Sequence, residues 1–311
     1  LVIVESPAKC KKIQSYLGKN FIVMSSKGHF RDLEKKKLGI DIEDNFKPTY
    51  MIMDDKKSVV NDLKKAFKKC DGLVLAADQD REGEAIAWHL NEVLNKGKSN
   101  SERIVFNEIT KTALVNAVEN PTKINTNMFY AQQARRIIDR IVGFLISPML
   151  WKNIQSSYKK GQGLSAGRVQ SVVNKLIIER ENNINNFEKK GYYNLVGNLE
   201  FSENVIPIKY IKTKDLVDYE ENVKPIFDLT KTEKFIVKEI KKKEKKENAK
   251  APYITSTLQQ EAHNKLNMNS KQTMLIAQKL YESGLITYMR TDSIVISDDA
   301  LKEIKEQVLS L

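Results

Sequence analysis

The sequence predicts a multidomain protein whose four successive parts are α/β, α-helical, β-rich and α-helical. In the first part, short apolar segments alternate with helix-like segments. Apolar strands separated by helices indicate a parallel sheet that is covered on both faces. Long amphipathic patterns begin near residue 126, and strand-like alternation follows over residues 192–240. We therefore predict boundaries at 1–125, 126–190, 191–250 and 251–311.

The first part reads as strand and helix in turn. Leu1–Glu5 is typical of a buried strand, and Ser6-Pro7 begins a helix that Gly18 ends, since proline suits the first turn and glycine the C-terminal cap. Residues 28–33 read as a polar loop. We predict further strands at 21–25, 50–53, 72–77 and 104–106, and further helices at 59–67, 83–94 and 111–118.

The rest of the chain is more helical. Helices are predicted at 128–150 and 165–186, the second with an apolar face of Val169, Val172, Val173, Leu176 and Ile177. Residues 241–250 hold six lysines and two glutamates, which is typical of a solvated linker and, as the alternative, of a phosphate contact. Three more helices are predicted at 256–266, 270–282 and 297–309, each begun by a serine that can cap it.

Composition limits the function classes. The 311 residues carry a net charge of +12 at pH 7, which favours a polyanionic partner, either nucleic acid or an acidic membrane face. The longest apolar stretch, residues 141–151, is too short to span a bilayer, and no secretory signal is expected. Two cysteines make neither a disulfide framework nor a cysteine-built zinc site, so we expect a reducing cytoplasm.

Arginine is scarce in this chain. It supplies nine of the 52 basic residues, so lysine is the default cation. An arginine retained in such a chain is a candidate for planar, bidentate donation to phosphate or carboxylate.

The densest chemical signal follows the strand at 72–77. Asp78 and Asp80 lie two residues apart in an extended segment and project to one side, while Glu82 falls in the first turn of the next helix. Glu5 ends another predicted strand. An all-oxygen cluster of this kind suits Mg²⁺, and the competing interpretation is an acidic helix cap.

Two other segments carry weaker signals. Glu5-Ser-Pro-Ala-Lys9 opens a helix whose N-terminus can bind an anion with help from Lys9. His29, in the predicted loop, is either a proton carrier or a structural hydrogen bonder.

Near the end of the chain, Tyr288 and Arg290 project to the same side of a predicted short strand. A tyrosine hydroxyl becomes a nucleophile only if cations stabilise the phenolate, which Arg290 is placed to do. The residues alone do not single out Tyr288 among the eleven tyrosines.

The motifs resemble, in order, those of type IA DNA topoisomerases, in particular the bacterial topoisomerase I group. Gln79 departs from the family's usual proline, but every charged motif residue and the tyrosine are present. The blocks that carry the resemblance are Glu5–Lys9, Asp78–His89, Arg103–Thr110, Gln132–Arg140, Leu164–Ser171 and Ile286–Ser293.

The resemblance implies a Rossmann-like TOPRIM domain, a helical domain that binds single-stranded DNA, a β-rich arch and a helical domain with the nucleophilic tyrosine. It implies a reversible transesterification through a 5′-phosphotyrosyl intermediate, strand passage and religation, which relaxes negatively supercoiled DNA. Mg²⁺ is the implied cofactor. No ATP is needed, which agrees with the lack of a P-loop motif.

The family's roles then fall on matching positions. By this resemblance, Tyr288 would be the nucleophile, Arg290 and Lys9 would steady the phosphate, and Glu5 would serve the leaving 3′-oxygen. The implied metal ligands are Asp78, Asp80 and Glu82, and His29 and Arg81 are further candidates. The implied DNA-groove residues are Arg135, Arg136, Asp139, Ser165, Arg168 and Gln170.

The chain begins at Leu1 and ends at Leu311, shortly after Tyr288. We expect a trimmed chain that, alone, does not relax DNA, and a cytoplasmic, nucleoid-associated monomer without a nucleotide cofactor or membrane partner. Two alternatives stay open: another TOPRIM enzyme, such as a primase or nuclease, and a non-catalytic single-stranded DNA-binding module. Reverse gyrase is disfavoured because no helicase motif is present.

Overall fold

The computed structural model describes residues 1–95, 101–154, 163–201, 203–212 and 216–310. Part of the predicted strand-rich region, residues 202 and 213–215, lies outside them. The described helices are α1 (Pro7–Leu17), α2 (Lys57–Phe67), α3 (Arg81–Asn95), α4 (Lys111–Glu119), α5 (Thr126–Asn153), α6 (Arg168–Asn185), α7 (Lys224–Thr232), α8 (Thr255–Leu266), α9 (Ser270–Glu282) and α10 (Asp298–Leu309). The described strands are β1 (Val2–Val4), β2 (Val23–Ser25), β3 (Arg31–Leu33), β4 (Ile40–Asp41), β5 (Lys47–Pro48), β6 (Tyr50–Ile52), β7 (Val74–Ala76), β8 (Glu102–Arg103), β9 (Val196–Phe201) and β10 (Asn204–Lys209).

The chain divides into two compact units. The first combines Leu1–Gln170 with Lys250–Leu311, and the second is Ser171–Ala249. The predicted four-part division stays a prediction. The mixed α/β fold class is confirmed, with a parallel sheet, long helices and a separate antiparallel hairpin.

A four-stranded parallel sheet is the centre of the first unit. Its order is β2-β1-β7-β8, so β1 lies between β2 and β7. Val4 is paired with Ala76, which aligns the carboxyl ends of β1 and β7. Parallel strands of this kind present the residues that follow them at one edge of the sheet.

Both faces of this sheet are covered, as the sequence predicts. Alternate residues of β1 point to opposite faces, so Val2 and Val4 join one apolar cluster and Leu1 and Ile3 join another. The first cluster is covered by α1, α4 and the segment around Tyr281 and Tyr288. The second is covered by α2 and α3.

Helix α1 forms where the sequence predicts it. The Ser6 hydroxyl accepts a hydrogen bond from the Ala8 amide, Pro7 occupies the first turn, and Gly18 ends the helix with a φ of 77°. The same helix carries Lys9 and Ile13, both buried.

Several predicted strands are corrected by the structure. Residues 28–33 are not all loop, because Arg31–Leu33 forms β3 and pairs antiparallel with β6 outside the parallel sheet. This pairing is non-local and involves polar residues, so apolar alternation does not reveal it. The strand predicted at 104–106 is instead β8, Glu102–Arg103, although the Ile104 amide still donates to Leu75.

Helix α5 is fixed to the sheet domain at its beginning. Asn125 caps it by accepting from the Met128 amide, and Phe129 is buried with its ring stacked 4.0 Å from that of Trp88. The cap and the stacking both lie in the first turn, so the beginning of the helix is held against α3; further along, Arg136 binds Asp32 and Arg140 binds the Glu34 backbone oxygen.

The second unit is only partly β-rich. β9 and β10 form an antiparallel hairpin, but the region predicted as strand also contains α7. Its alternating pattern is short and mixed with charged residues, so periodicity does not separate strand from helix there. The apolar face predicted on α6 is exposed in the described chain, with Val172 at 58% and Leu176 at 59%.

The last helices form as predicted, but only one is capped by its expected serine. Ser297 caps α10, whereas Asn269 caps α9, and Thr257 supports the start of α8 by accepting from the Ile254 amide. Residues 286–290 are not a strand but an irregular segment with bends. Within the described residues, no helix is long and apolar enough to cross a membrane.

Candidate active site

The carboxyl ends of β1 and β7 bring Glu5 and Asp78 to the same edge of the sheet. Glu5 follows β1 directly, and its backbone oxygen accepts from the Gly28 amide and from the Ser25 hydroxyl, each at 2.9 Å. Asp78 follows β7 and is only 5% exposed. Both acids therefore follow the paired ends of neighbouring parallel strands.

Asp78 is paired with Lys9. The Lys9 ammonium is fully buried, donates to Asp78 Oδ1 and lies 4.7 Å from the centroid of the Tyr281 ring. A buried cation is stable only with a charged partner or an electron-rich face, and Lys9 has both. Lys9 is thus placed beside the acids at the strand ends.

Asp80 has partners on both carboxylate oxygens. Oδ1 accepts from the Gly83 amide at 2.8 Å, which caps the first turn of α3. Oδ2 accepts from the Tyr288 hydroxyl at 2.6 Å and from Arg290 Nη1 at 3.1 Å. We call Asp78, Asp80 and Glu82 the acid motif. The predicted nucleophile and its predicted cation therefore meet at one oxygen of this motif.

Tyr288 is held there by packing and by its own backbone. Its amide donates to the Asn107 oxygen at 2.7 Å, and its ring meets the edge of the Tyr281 ring at a centroid distance of 5.1 Å. Burial, followed by the bond to Asp80, raises the pKa of Tyr288 well above its usual value, while Arg290 acts in the opposite direction.

The side chain of Glu5 makes no hydrogen bond within the described residues. Burial raises the pKa of this carboxyl, the charges of Asp78 and then Asp80 raise it further, and Lys9 opposes the shift. The effect favours the protonated form, so Glu5 is suited to donate a proton.

Glu82 lies with a different set of partners. Its Oε2 is 2.9 Å from His29 Nε2 and accepts from Gln132 Nε2 at 3.1 Å. The bond from His29 is the main reason that the pKa of Glu82 falls to about 2, and the same bond raises the pKa of His29. Glu82 is therefore ionised and directed towards α5.

The donor chemistry of the acids fits Mg²⁺, but their present arrangement does not frame an ion. Carboxylate oxygens are the ligands that Mg²⁺ prefers, and Glu5 is a partly buried carboxyl without a hydrogen-bond donor in the described chain. Within the described residues, no group of three histidine, cysteine or acidic side chains surrounds a common point. Asp78, Asp80 and Glu82 each engage a different protein donor instead.

Some of the predicted DNA-groove residues are paired with charged side chains, and others are exposed. Asp139 and Arg168 bind each other through two hydrogen bonds of 2.5 and 2.9 Å, and Arg136 is paired with Asp32. Arg135 is exposed and makes no hydrogen bond or ion pair in the described part of the chain.

The other candidates lie at the surface. Ser165 and Arg81 are exposed, and the Gln170 amide group lies over Gly167.

A polar cavity of about 210 Å³ connects the acid motif to α5. Its lining includes acidic and basic side chains and the rings of Tyr50 and His89. Burial lowers the pKa of His89 to about 3, so this imidazole is neutral, with Nδ1 3.4 Å from Arg31 Nη1. The cavity is lined by His29, Arg31, Asp32, Tyr50, Glu82, His89, Gln132, Arg135, Arg136 and Asp139.

Sequence reasoning missed three residues of the site. Asp32 lies in a segment whose sequence reads as a polar loop, and nothing near it in the chain indicates the pairing with Arg136. Tyr281 occurs in a helical pattern that reads as core. Arg103 carries two usable signals, since arginine is scarce in this chain and Arg103 begins the motif block Arg103–Thr110.

Comparison with known proteins agrees with this geometry. The Toprim domain family matches residues 1–109, and the bacterial DNA topoisomerase family matches residues 123–310. Fold and site together define a Toprim protein in which a tyrosine, Tyr288, is hydrogen-bonded to Asp80 of the acid motif. The chain belongs to the DNA topoisomerase family, of type IA, as the motifs predict.

A solved structure shows the same arrangement of the chain. Full-length topoisomerase I from Thermotoga maritima is 42% identical, with a TM-score of 0.83. The match covers 100% of this chain and 52% of that protein. The chain therefore spans about half the length of this relative.

Proposed function

We propose that the protein cleaves and rejoins one DNA strand as a type IA topoisomerase and so relaxes negatively supercoiled DNA. The observation that carries the proposal is the hydrogen bond from Tyr288 to Asp80, which places a nucleophile at the acid motif across 208 residues of sequence. A tyrosine with only a packing role does not need a carboxylate partner.

In the proposed reaction, the Tyr288 oxygen attacks a backbone phosphorus atom and the bond to the 3′-oxygen breaks. The products are a 5′-phosphotyrosyl link and a free 3′-hydroxyl. The phenolic proton points at Asp80 Oδ2, so its acceptor is in place. Glu5, with its raised pKa, protonates the leaving 3′-oxygen.

Two cations serve the phosphate during this exchange. Lys9 is paired with Asp78 and Arg290 with Asp80, and both stabilise the negative charge that develops on the phosphate and the phenol oxygen. One phosphate ester replaces another, and religation is the same step in reverse. For this reason the reaction needs no ATP or other nucleotide cofactor.

We propose that Asp78, Asp80 and Glu82 hold Mg²⁺. The support is the donor chemistry and the nearby negative charge of Asp78 and Asp80, which adds to the effect of burial in raising the pKa of Glu5. When bound, the ion would supply positive charge against the DNA backbone. In the present arrangement the three acids bind Lys9, Tyr288 and His29.

The proposed substrate is the single-stranded segment of a negatively supercoiled duplex. Arg135 is exposed and unpaired in the described chain, beside the polar cavity and on the helix that carries Arg136. Arginines in such a groove clamp phosphates and stack on bases. We further propose a cytoplasmic, nucleoid-associated monomer, with the four-part division of Toprim, helical, arch and tyrosine domains.

The decisive experiment replaces Tyr288 with Phe in the full-length protein. A labelled single-stranded oligonucleotide should form a covalent adduct with the unmodified protein, and peptide mass should map it to Tyr288. Tyr288→Phe should form none. Tyr281→Phe is the matched control, because this neighbouring hydroxyl has no partner in the described chain and should be dispensable for the adduct.

The same experiment separates the alternatives. A Toprim nuclease would still cut the oligonucleotide after Tyr288→Phe, because its water nucleophile does not need the phenol. A non-catalytic binding module would bind the oligonucleotide without ever forming an adduct.

A further inference from the structure

A buried arginine, Arg103, binds the backbone at the start of the acid motif. The guanidinium of Arg103 is 1% exposed and donates to the backbone oxygens of Asp78 at 3.0 Å and Ala77 at 2.8 Å. It also donates to the Leu75 and Ile104 oxygens. These bonds fix the carboxyl end of β7, where the chain turns into the acid motif.

The same arginine is paired with a buried glutamate on α3. Arg103 Nε donates to Glu84 Oε2 at 3.1 Å, and Glu84 is 4% exposed. The other oxygen of Glu84 accepts from the Asn125 amide at 2.6 Å. One carboxylate therefore bridges the arginine and the residue that caps α5.

This bridge connects two parts of the proposed site. At one end is the backbone of Asp78, whose carboxylate is bound to Lys9. At the other end is Asn125, which caps the helix that carries Gln132 and Arg135. The Arg103–Glu84 pair thus connects the backbone of Asp78 to the start of α5, in addition to the Glu82–Gln132 bond and the Trp88–Phe129 stacking.

Stability alone is a poor reason for such a pair. A buried ion pair loses hydration that its attraction barely offsets, and well-packed apolar residues usually serve stability as well. A planar guanidinium with five donors is what the site requires, because four backbone carbonyls and one carboxylate accept hydrogen bonds from it.

We propose that Arg103 and Glu84 are positioning residues for the transesterification, which keep Asp78 and the start of α5 in a fixed relation. Neither touches the DNA or the reacting atoms. The inference rests on the proposed function, and its test compares cleavage rate with oligonucleotide affinity in the full-length protein.

The first variant is Arg103→Lys. Lysine keeps the charge beside Glu84, but its single ammonium cannot reach the Asp78 and Ala77 oxygens together with the carboxylate. Adduct formation should slow by roughly 10- to 100-fold while affinity for a single-stranded oligonucleotide changes less than about twofold, since a small misplacement affects reaction more than binding.

Two variants of Glu84 test the contact between this carboxylate and the Asn125 amide at the start of α5. Glu84→Gln keeps an oxygen for the Asn125 amide but turns an NH₂ group towards Arg103, so cleavage should slow while affinity is retained. Glu84→Ala removes both contacts, so cleavage and affinity should both fall. The difference between these two variants isolates the contact with α5.

Thr122→Val is the matched control. Thr122 Oγ1 donates to the backbone oxygen of Arg103 at 2.9 Å, so its loss weakens the same region without changing the guanidinium contacts. With all proteins assayed well below their melting temperatures, Thr122→Val should cleave at the unmodified rate.

Three results would overturn the inference. They are an unmodified cleavage rate in Arg103→Lys, an equal loss of rate in Thr122→Val, or failure of both Arg103→Lys and Glu84→Gln to fold, which would leave the pair a purely structural role. If Arg103→Lys alone does not fold, Glu84→Gln decides. Absence of any adduct in the unmodified protein would instead overturn the proposed function, and this inference with it.

Discussion

The hydroxyl of Tyr288 donates to Asp80 Oδ2 at 2.6 Å, although 208 residues separate the two in the chain. Burial and this bond raise the pKa of Tyr288, so the phenol is held protonated in this arrangement. Arg290 shares the same carboxylate oxygen and favours the phenolate. A phosphate that draws Arg290 towards itself would bring the cation to the reacting oxygen.

Gly83→Ala should damage the acid motif. A Cβ at this position would lie 2.2 Å from the Asp78 backbone oxygen, which Arg103 holds from another side. Overpacking of this kind costs about 1–3 kcal/mol, measurable by urea unfolding, and cleavage should fall because Asp78 moves.

Gly143→Ala on α5 is the control for that substitution. Nothing lies within 4 Å of its Cβ position, so alanine should stabilise the helix by up to about 1 kcal/mol. Equal behaviour of the two variants would contradict the close approach at Gly83.

Removing either member of the Lys9–Asp78 pair should be strongly destabilising. Both side chains are buried, so Lys9→Met leaves an uncompensated carboxylate and Asp78→Leu leaves an uncompensated ammonium, at about 3–5 kcal/mol each. The double variant should lose much less than the sum of the two, as urea unfolding would show. Simple additivity within about 0.5 kcal/mol would rule out the pairing.

The His29–Glu82 pair should make stability depend on pH. The pKa of Glu82 is lowered from 4.5 to about 2, so its contribution is present above pH 4.5 and is lost as the pH falls. The pKa of His29 is raised above 6.5, so its contribution is complete below pH 6.5 and is lost at higher pH. His29→Gln should therefore cost most stability near pH 5.5.

The stability lost in His29→Gln is limited because both side chains of the His29–Glu82 pair are partly exposed to solvent. The two side chains are 39% and 42% exposed, so solvent screening reduces the loss to about 1 kcal/mol or less. Thermal unfolding in EDTA measures it. In a Glu82→Gln background the pH dependence of the His29→Gln loss should disappear, and a loss that persists there would assign it to other groups.

Arg168→Ala should weaken binding of single-stranded DNA. Arg168 now binds Asp139, whose pKa it lowers, and both side chains are more than a third exposed and open to a ligand. If Arg168 contacts one phosphate, the salt-dependence slope of binding should fall by about 0.7. Arg180→Ala, an exposed arginine outside the motifs, should leave the slope unchanged. Identical slopes in all three proteins would indicate diffuse binding by lysines.

The helices and strands near the site show which elements can be predicted from sequence patterns alone. α1 was predictable because Ser6, Pro7 and Gly18 act through local hydrogen bonds and backbone angles. β7 was predictable because a run of apolar residues must be buried. β3 was not predictable, since its pairing with β6 satisfies backbone groups that leave no side-chain pattern. The exposed apolar face of α6 likewise shows that periodicity predicts a helix but not what covers it.

The sequence by itself determined the fold class, the family and the residue types of the site, because ordered motifs and apolar periodicity are local properties of the chain. Only the tertiary structure decided the partner of each acid: Lys9 for Asp78, Tyr288 for Asp80 and His29 for Glu82. These pairs span 69, 208 and 53 residues. They depend on how apolar faces pack across the sheet, which fixes distances between segments that no local pattern records.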